Sequence, residues 1–418
     1  MESKESEYLK NLRGEDASIL EHLNAEIPAM DEQCQASVLI PAFLEEKHVF
    51  DAIRGFAKQF NTEGTAMLNP AKWEIIVLVN TEKDVEKDDT LKEALRARQT
   101  FSGIKIHVLE YEFPPGERTI GAVRKILTDL AVMRHETRAK KDKNFYIQST
   151  DADLIHVDNR LVSNHINMME SYPKLDAIAG ITLIDPELLA QIDILLLKTL
   201  AKERTRILLQ TLPLETFGSN KPYGRVLAGG NAMFRSSTYA EIGGYNPSLK
   251  RSEDLDISVK IESIRSGTIE LVSGIIISSA RRFVSSLFQG QMLPSYQNFG
   301  EANHEREIRK LSHEQIMEGV KECLVLDENN IKIIEFYLNI FIGNFLRSIP
   351  DSQRALELFK GIMSKLGFKN SDYVIANGKI TINNIQNIKR ALEEYKKRDK
   401  YGKWIASQKR IEQKLIKQ

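Results

Sequence analysis

Hydrophobic residues along this chain fall into short runs separated by longer amphipathic stretches. Ser37–Pro41 (SVLIP), Trp73–Val79 (WEIIVLV), Gly103–Leu109 (GIKIHVL) and Asn144–Gln148 (NFYIQ) recur at similar spacing, each rich in Val and Ile. Between them, His48–Phe60, Thr90–Thr100 and Thr119–His135 have the length and composition of helices. Alternating β and α of this kind predicts a mainly parallel sheet covered on both faces. Residues 1–35 lie outside the pattern and read as a polar extension, helical or partly mobile. From about residue 300 the pattern turns helical, with IIEFYLNIFIGNFL and ALELFKGIMSKLGF set among charges. No Gly/Ser- or Pro-rich linker separates the parts. The expected organisation is therefore an extension (1–35), an α/β core (36–295) and a helical C-terminal region (296–418) docked on that core.

Charge and composition narrow the classes. Lys plus Arg and Asp plus Glu both number 58 in the 418 residues, so no net field recruits nucleic acid. Two cysteines, Cys34 and Cys323, make neither a disulfide framework nor a metal-ligand spacing, which suits a reducing cytoplasm. The opening MESKESEYLKNLRGED has acids and no apolar run, unlike a secretory signal. The longest apolar stretches, Ile192–Leu200 and Ile333–Leu346, are interrupted and fall short of the roughly 20 apolar residues that span a bilayer. A soluble or peripheral protein is expected. The apolar Leu188–Leu212 region either packs on the core or touches a membrane surface through a face carrying Lys198, Lys202, Arg204 and Arg206, and core packing is the commoner fate.

In parallel α/β sheets, ligands bind beyond the carboxyl ends of the strands. Glu45 and Glu46 follow the first run, Asn80 and Asp84 the second, and Asp151 with Asp153 the fourth. In an extended segment residues two apart point the same way, so Asp151 and Asp153 have the spacing to share one hard cation, Mg²⁺ or Mn²⁺. Taken alone, Asp-X-Asp reads more readily as a turn in which one Asp caps the next helix.

Three motifs decide between these readings. VLIPAFLEE (Val38–Glu46), STDADL (Ser149–Leu154) and AGGNAMFRSSTYAEIGGYNPSLKRSEDLDISVKI (Ala228–Ile261) occur in that order. Together they resemble glycosyltransferase family 2, enzymes of GT-A fold, over about residues 36–290. The resemblance implies a GT-A-type sheet flanked by helices. It implies that Pro41, Ala42, Phe43 and Glu45 contact the nucleoside, that Asp151 lies by the ribose and metal, that Asp153 binds the metal, and that Asp254 is the catalytic base. Gly121, Arg124 and Lys125 in RTIGAVRK resemble the segment beside the diphosphate, although the two cations read equally well as a solvated helix face. Two positions depart from the family. Asn80 stands where an acid is common, and its amide both donates and accepts toward a base or ribose. Leu44 stands where Asn is common.

Displacing a nucleoside diphosphate requires a carboxylate to orient the acceptor hydroxyl and take its proton. Arg251–Asp256 (RSEDLD) offers Glu253 and Asp254 in the first turn of an expected helix, with Ser252 as its N-cap. The helix dipole alone explains acids here, but Gly229-Gly230-Asn231 and Gly243-Gly244-Tyr245 lie just upstream, and glycine pairs permit close backbone approach to a ligand. Gly230 and Asn231 therefore join the candidate donor-binding residues. Arg281 and Arg282, after the apolar strand LVSGIII, match a departing diphosphate, or else a surface or the SEDLD acids. His156 and His165 read as ordinary polar residues rather than ligands. The expected activity is metal-dependent transfer of a hexose from a nucleotide sugar, UDP-linked, to a hydroxyl of a glycan, lipid-linked or small-molecule acceptor. It would proceed with inversion in the cytoplasm or at the inner face of the membrane. A retaining mechanism follows if no carboxylate faces the anomeric carbon. The rivals are a nucleotidyltransferase of related fold and a catalytically silent nucleotide-sugar-binding scaffold.

Overall fold

The computed structural model describes residues 2–139, 144–185, 227, 229–265, 269–279, 349–376 and 379–398, with scattered positions in 192–208 and 331–339. The polar extension forms α1 (Lys4–Lys10) and α2 (Gly14–Ala25). The predicted alternation follows as β1 (Ala36–Ala42), α3 (Val49–Ala57), β2 (Trp73–Glu82), α4 (Thr90–Thr100), β3 (Ile106–Phe113), α5 (Ile120–Glu136) and β4 (Tyr146–Thr150). These four strands run parallel. The third starts at Ile106 rather than Gly103, because the preceding residues form a turn.

Beyond β4 come β5 (Leu154–Val157), α6 (Leu161–Ser171), β6 (Ala177–Ile184), β7 (Asn231–Arg235), α7 (Ser236–Glu241), α8 (Glu253–Ile264) and β8 (Ile269–Ser278). The sheet order is β3-β2-β1-β4-β7-β6-β8-β5, with β7 and β5 running against their neighbours. The fold is thus the mainly parallel, helix-flanked sheet expected. Inserting β7 beside β4 pairs Thr150 with Asn231, which brings Gly230 to the side of Asp151.

Period-two alternation splits the core between the two faces. Val38, Ile40, Ile75 and Val77 join α3, α4 and α6. Leu39, Ile76 and Leu78 join α5 and α8 on the other face, together with Leu20 and Leu23 of α2. The polar extension is therefore part of the core. Its α1 docks on α7, where the Ser236 hydroxyl donates to Glu5 (2.8 Å), and the Tyr8 and Tyr239 hydroxyls both donate to Asp129 Oδ1 (2.8 Å each).

Glu74 interrupts the apolar run of β2, and its carboxylate is fully buried. It accepts from Arg134 Nη2 (2.8 Å) and from the Ser37 hydroxyl (2.8 Å), with His107 Nε2 at 3.2 Å. Arg134 also donates to the Pro28 carbonyl (2.8 Å), tying the segment after α2 to α5.

The described C-terminal residues are not wholly helical as expected: α9 (Ser352–Lys365) and α10 (Gln386–Arg398) flank a short antiparallel pair, β9 (Tyr373–Ala376) and β10 (Lys379–Ile382). Ile192, Leu196, Leu197, Leu200 and Ala201 are buried, in keeping with core packing of that stretch. Among the described residues no helix is long and apolar enough to cross a membrane.

Candidate active site

The carboxyl ends of β1, β2 and β4 open into a crevice of about 270 Å³. Pro41 lines it from the end of β1, Phe43 and Glu45 from the β1–α3 loop, Asn80 from β2, and Asp151 and Asp153 from the segment after β4. Gly229 and Gly230 close one side, and Lys250–Asp254 enter from the loop leading to α8. That loop is fastened to the start of α5. Gly121 N–H donates to the Leu249 carbonyl (2.9 Å), and the Thr119 hydroxyl, which caps α5, donates to the Pro247 carbonyl.

At one end of the crevice, the Arg118 guanidinium lies over the Phe43 ring, 3.4 Å from its centroid. Asn80 is buried, and its Nδ2 donates to the carbonyls of Ala42 (2.9 Å) and Leu78 (3.3 Å). These two acceptors fix the amide orientation. Asn80 Oδ1 is left toward Arg118 Nη1 at 3.5 Å. Leu44 has φ 52, in the left-handed region where Asn is at home and a Leu costs about 1–2 kcal/mol.

At the other end Arg124 is the organising group. It is 4% exposed and uses all three of its nitrogens. Nε donates to Glu253 Oε1 (2.9 Å), Nη1 to the Ser149 hydroxyl (2.6 Å) and Thr150 carbonyl (3.2 Å), and Nη2 to Asp151 Oδ1 (2.6 Å). Burial opposes its charge, but Asp151 and Glu253 more than offset this and hold its proton more tightly than usual. Burial raises the Glu253 carboxyl above its ordinary value, with Arg124 pulling the other way. Asp254 accepts from Gly229 N–H at Oδ2 (2.9 Å) and from Leu255 N–H at Oδ1 (2.8 Å), which fixes its carboxylate at the rim.

Among the described residues no group of three or more His, Cys, Asp or Glu side chains is arranged to hold a metal. Two carboxylates still suit a hard cation that arrives with a diphosphate, since Mg²⁺ keeps several waters and needs only one or two protein carboxylates beside phosphate oxygens. Asp153 lines the crevice, and its carboxylate makes no hydrogen bond or ion pair among the described residues. Asp151 keeps Oδ2 outside the Arg124 bond. The donor set fits a cation shared with a ligand rather than one caged by the protein.

Several expected site residues stand elsewhere. Arg124 and Lys125 are adjacent on α5 and so point about 100° apart. Lys125 turns from the crevice to pair with Asp129, and with Asp16 at 3.6 Å. Gly121 does not line the crevice either; a Cβ there would sit 2.2 Å from the Asn246 carbonyl oxygen, so this glycine serves the docking of the 246–249 loop. Asn231 is wholly buried, donating to the carbonyls of Ile181 (3.2 Å) and Gly274 (3.1 Å) inside the sheet. Ala42 contributes its carbonyl to Asn80 from β1. A Cβ on Gly230 would lie 2.5 Å from Asp151 Oδ2, so the close approach this glycine permits is to a protein carboxylate. Ser252 precedes α8 with φ 60 and makes no side-chain cap. The buried His165 imidazole faces Gln148 Oε1 at 2.8 Å, away from the crevice. Arg281 and Arg282 lie outside the described residues.

Arg118, Lys250 and Arg251 line the crevice without having been singled out. Arg118 opens the RTIGAVRK segment one residue before the α5 cap, where helical periodicity has not begun. Lys250 and Arg251 directly precede the SEDLD acids, and that adjacency was the available signal.

No family model matches the chain, and no curated protein matches it. Solved structures that it resembles include S. aureus TarS 1-349, at 12% identity over 84% of this chain and 98% of that one, with a TM-score of 0.38. Another is the mannosyltransferase PcManGT from Pyrobaculum calidifontis in complex with GDP-Man and Mn²⁺, at 12% identity over 85% of this chain and 89% of that one, TM-score 0.41. A third is glucosyl-3-phosphoglycerate synthase from Mycobacterium tuberculosis in complex with Mn²⁺, UDP and phosphoglyceric acid, at 14% identity over 66% of this chain and 84% of that one, TM-score 0.36.

Proposed function

We propose that the chain transfers a hexose from a UDP-linked nucleotide sugar to a hydroxyl acceptor, by single displacement with inversion. The observation that carries this reading is the crevice itself, which sets the Asp151 and Asp153 carboxylates beside Asn80 and Phe43 and brings Asp254 in from a separate element. Pro41, Phe43, Asn80 and Arg118 would receive the nucleoside, with Asp151 toward the ribose. Asp151 and Asp153 would hold the Mg²⁺ or Mn²⁺, which neutralises the diphosphate as it leaves. Lys250 and Arg251 add fixed positive charge to the lining.

Asp254 serves as the base. Its two backbone hydrogen bonds orient the carboxylate and leave each oxygen a further lone pair for an acceptor hydroxyl. The acceptor oxygen forms its bond to the anomeric carbon as the bond to the diphosphate breaks. The proton passes to Asp254, and the electron pair departs with the nucleotide. Glu253 is engaged by Arg124, so Asp254 is the better placed of the two acids.

Incubation with a panel of nucleotide sugars tests the reading. The expected result is slow, Mn²⁺- or Mg²⁺-dependent release of UDP without added acceptor. Asp254→Asn should abolish turnover while keeping UDP affinity within about threefold. No nucleotide release from any donor, together with no UDP binding by calorimetry, rejects it.

A further inference from the structure

We infer that Arg124 is a positioning residue that acts as an internal counter-cation to Asp151 and thereby limits how strongly the nucleotide-free site takes up a divalent cation. The inference rests on the reading of Asp151 and Asp153 as the cation's carboxylates.

A guanidinium does not lose its proton in a protein, so its charge is permanent. The 2.6 Å bond from Nη2 places that charge directly on Asp151 Oδ1. Arg124 has no freedom to withdraw, because Glu253, Ser149 and the Thr150 carbonyl hold it from its other sides. Gly229 closes the remaining approach, since a Cβ there would lie 3.2 Å from Nη2. A cation arriving alone therefore meets one carboxylate already neutralised, beside a fixed like charge. Only Asp153 is left unengaged among the described residues.

A diphosphate changes this balance by bringing negative oxygens of its own. Cation and nucleotide then raise each other's affinity, and by linkage the factor is the same in both directions. Arg124 thus favours a loaded site over one holding bare metal. Its bond to Glu253 carries the same guanidinium to the acid-bearing helix α8, so the two walls of the crevice share one charge.

The test is a Mn²⁺ titration of the full chain by electron paramagnetic resonance, with and without UDP. Arg124→Met leaves Glu253 buried and unpaired, so the informative protein is Arg124→Met with Glu253→Gln, which removes one charge of each sign. In nucleotide-free form it should bind Mn²⁺ at least about tenfold more tightly than wild type, and UDP should enhance its binding correspondingly less. Arg124→Lys and Glu253→Gln alone keep a cation at this position and should show no such gain. Unchanged or weaker Mn²⁺ binding by the folded double variant overturns the inference, as does an equal gain in Arg124→Lys. Absence of Mn²⁺ binding to wild type even with UDP is a different result: it rejects the metal reading under Proposed function.

Discussion

Gly121→Ala sets two ordinary expectations against each other. Within α5 an alanine is favoured over glycine by about 1 kcal/mol, which predicts a more stable protein. The new Cβ, however, would meet the Asn246 carbonyl oxygen at 2.2 Å and that of Leu249 at 3.0 Å, both backbone atoms. Ordinary contact begins at 3.4 Å, so helix and loop must part by 3.4 − 2.2 = 1.2 Å. Such overpacking costs about 1–3 kcal/mol. The separation also lengthens the 2.9 Å hydrogen bond from Gly121 to Leu249, worth about 1 kcal/mol. Clash outweighs propensity, and the net loss is about 1–3 kcal/mol. Thermal unfolding should occur roughly 2–12 °C lower, at 2–4 °C per kcal/mol. The displaced loop leads into Lys250–Asp254, and a misplacement near 1 Å costs about 10²-fold in turnover. Circular dichroism melting and UDP release on one preparation read both effects. A variant as stable as wild type, or more so, with full turnover would show that the 246–249 loop yields freely, and the docking argument would fail.

Two further measurements probe the buried charges. Burial holds the His165 imidazole down near pKa 3, below its ordinary 6.5. The stability it contributes is therefore complete above about pH 6.5 and is lost as pH falls toward 3, at about 1.4 kcal/mol per unit. Burial also pushes the Glu74 carboxyl up, but His107 and Arg134 overcome this and hold it near 2 rather than 4.5, so its contribution is lost only between about pH 4.5 and 2. Urea unfolding of His165→Leu should show a slope flattened from about pH 6.5 down to about 3, read most cleanly above pH 4.5 where Glu74 adds nothing; an unchanged slope there counts against the assignment. Lys125→Ala should lower stability by about 3 kcal/mol by leaving the buried Asp129 without its cation, yet change UDP affinity by less than about twofold. Weaker UDP binding with an unchanged melting temperature would return Lys125 to the diphosphate.

The frame of the molecule was readable because β1 to β4 are apolar runs buried on both faces, and such runs stand out against amphipathic helices. Three of the remaining strands of the large sheet, β5 to β7, were harder. Ala177–Ile184 carries Gly180, which presses against Asn231, and a glycine weakens a strand signal. Asn231–Arg235 lies inside a motif block that suggested ligand contact rather than a sheet position. The two acid-bearing segments were found, and the crevice unites them, because paired carboxylates after a strand or at a helix start are visible in one dimension. What was not visible is helical phase. α5 is buried over much of its circumference, so nothing in RTIGAVRK tells which of Arg124 and Lys125 turns inward. Partners distant in the chain are equally hidden: Glu74 looks misplaced in WEIIVLV until Arg134, 60 residues on, is brought to it. Leu20 and Leu23, three apart in a polar extension, gave too faint a stripe to announce a core helix.

The docking of α1 has a consequence for the order in which the chain matures. Glu5 receives its hydrogen bond from Ser236, 231 residues later, and Tyr8 shares Asp129 with Tyr239. At roughly 5–20 residues per second, a ribosome needs about 10–50 s between making the two partners. For much of that interval α1 can meet only α5, through Tyr8 and Asp129, and the leucines of α2 likewise wait for α5. Contacts so remote in sequence slow folding. Leu20 and Leu23 of α2 thus stay uncovered until α5 has been made and folded against them.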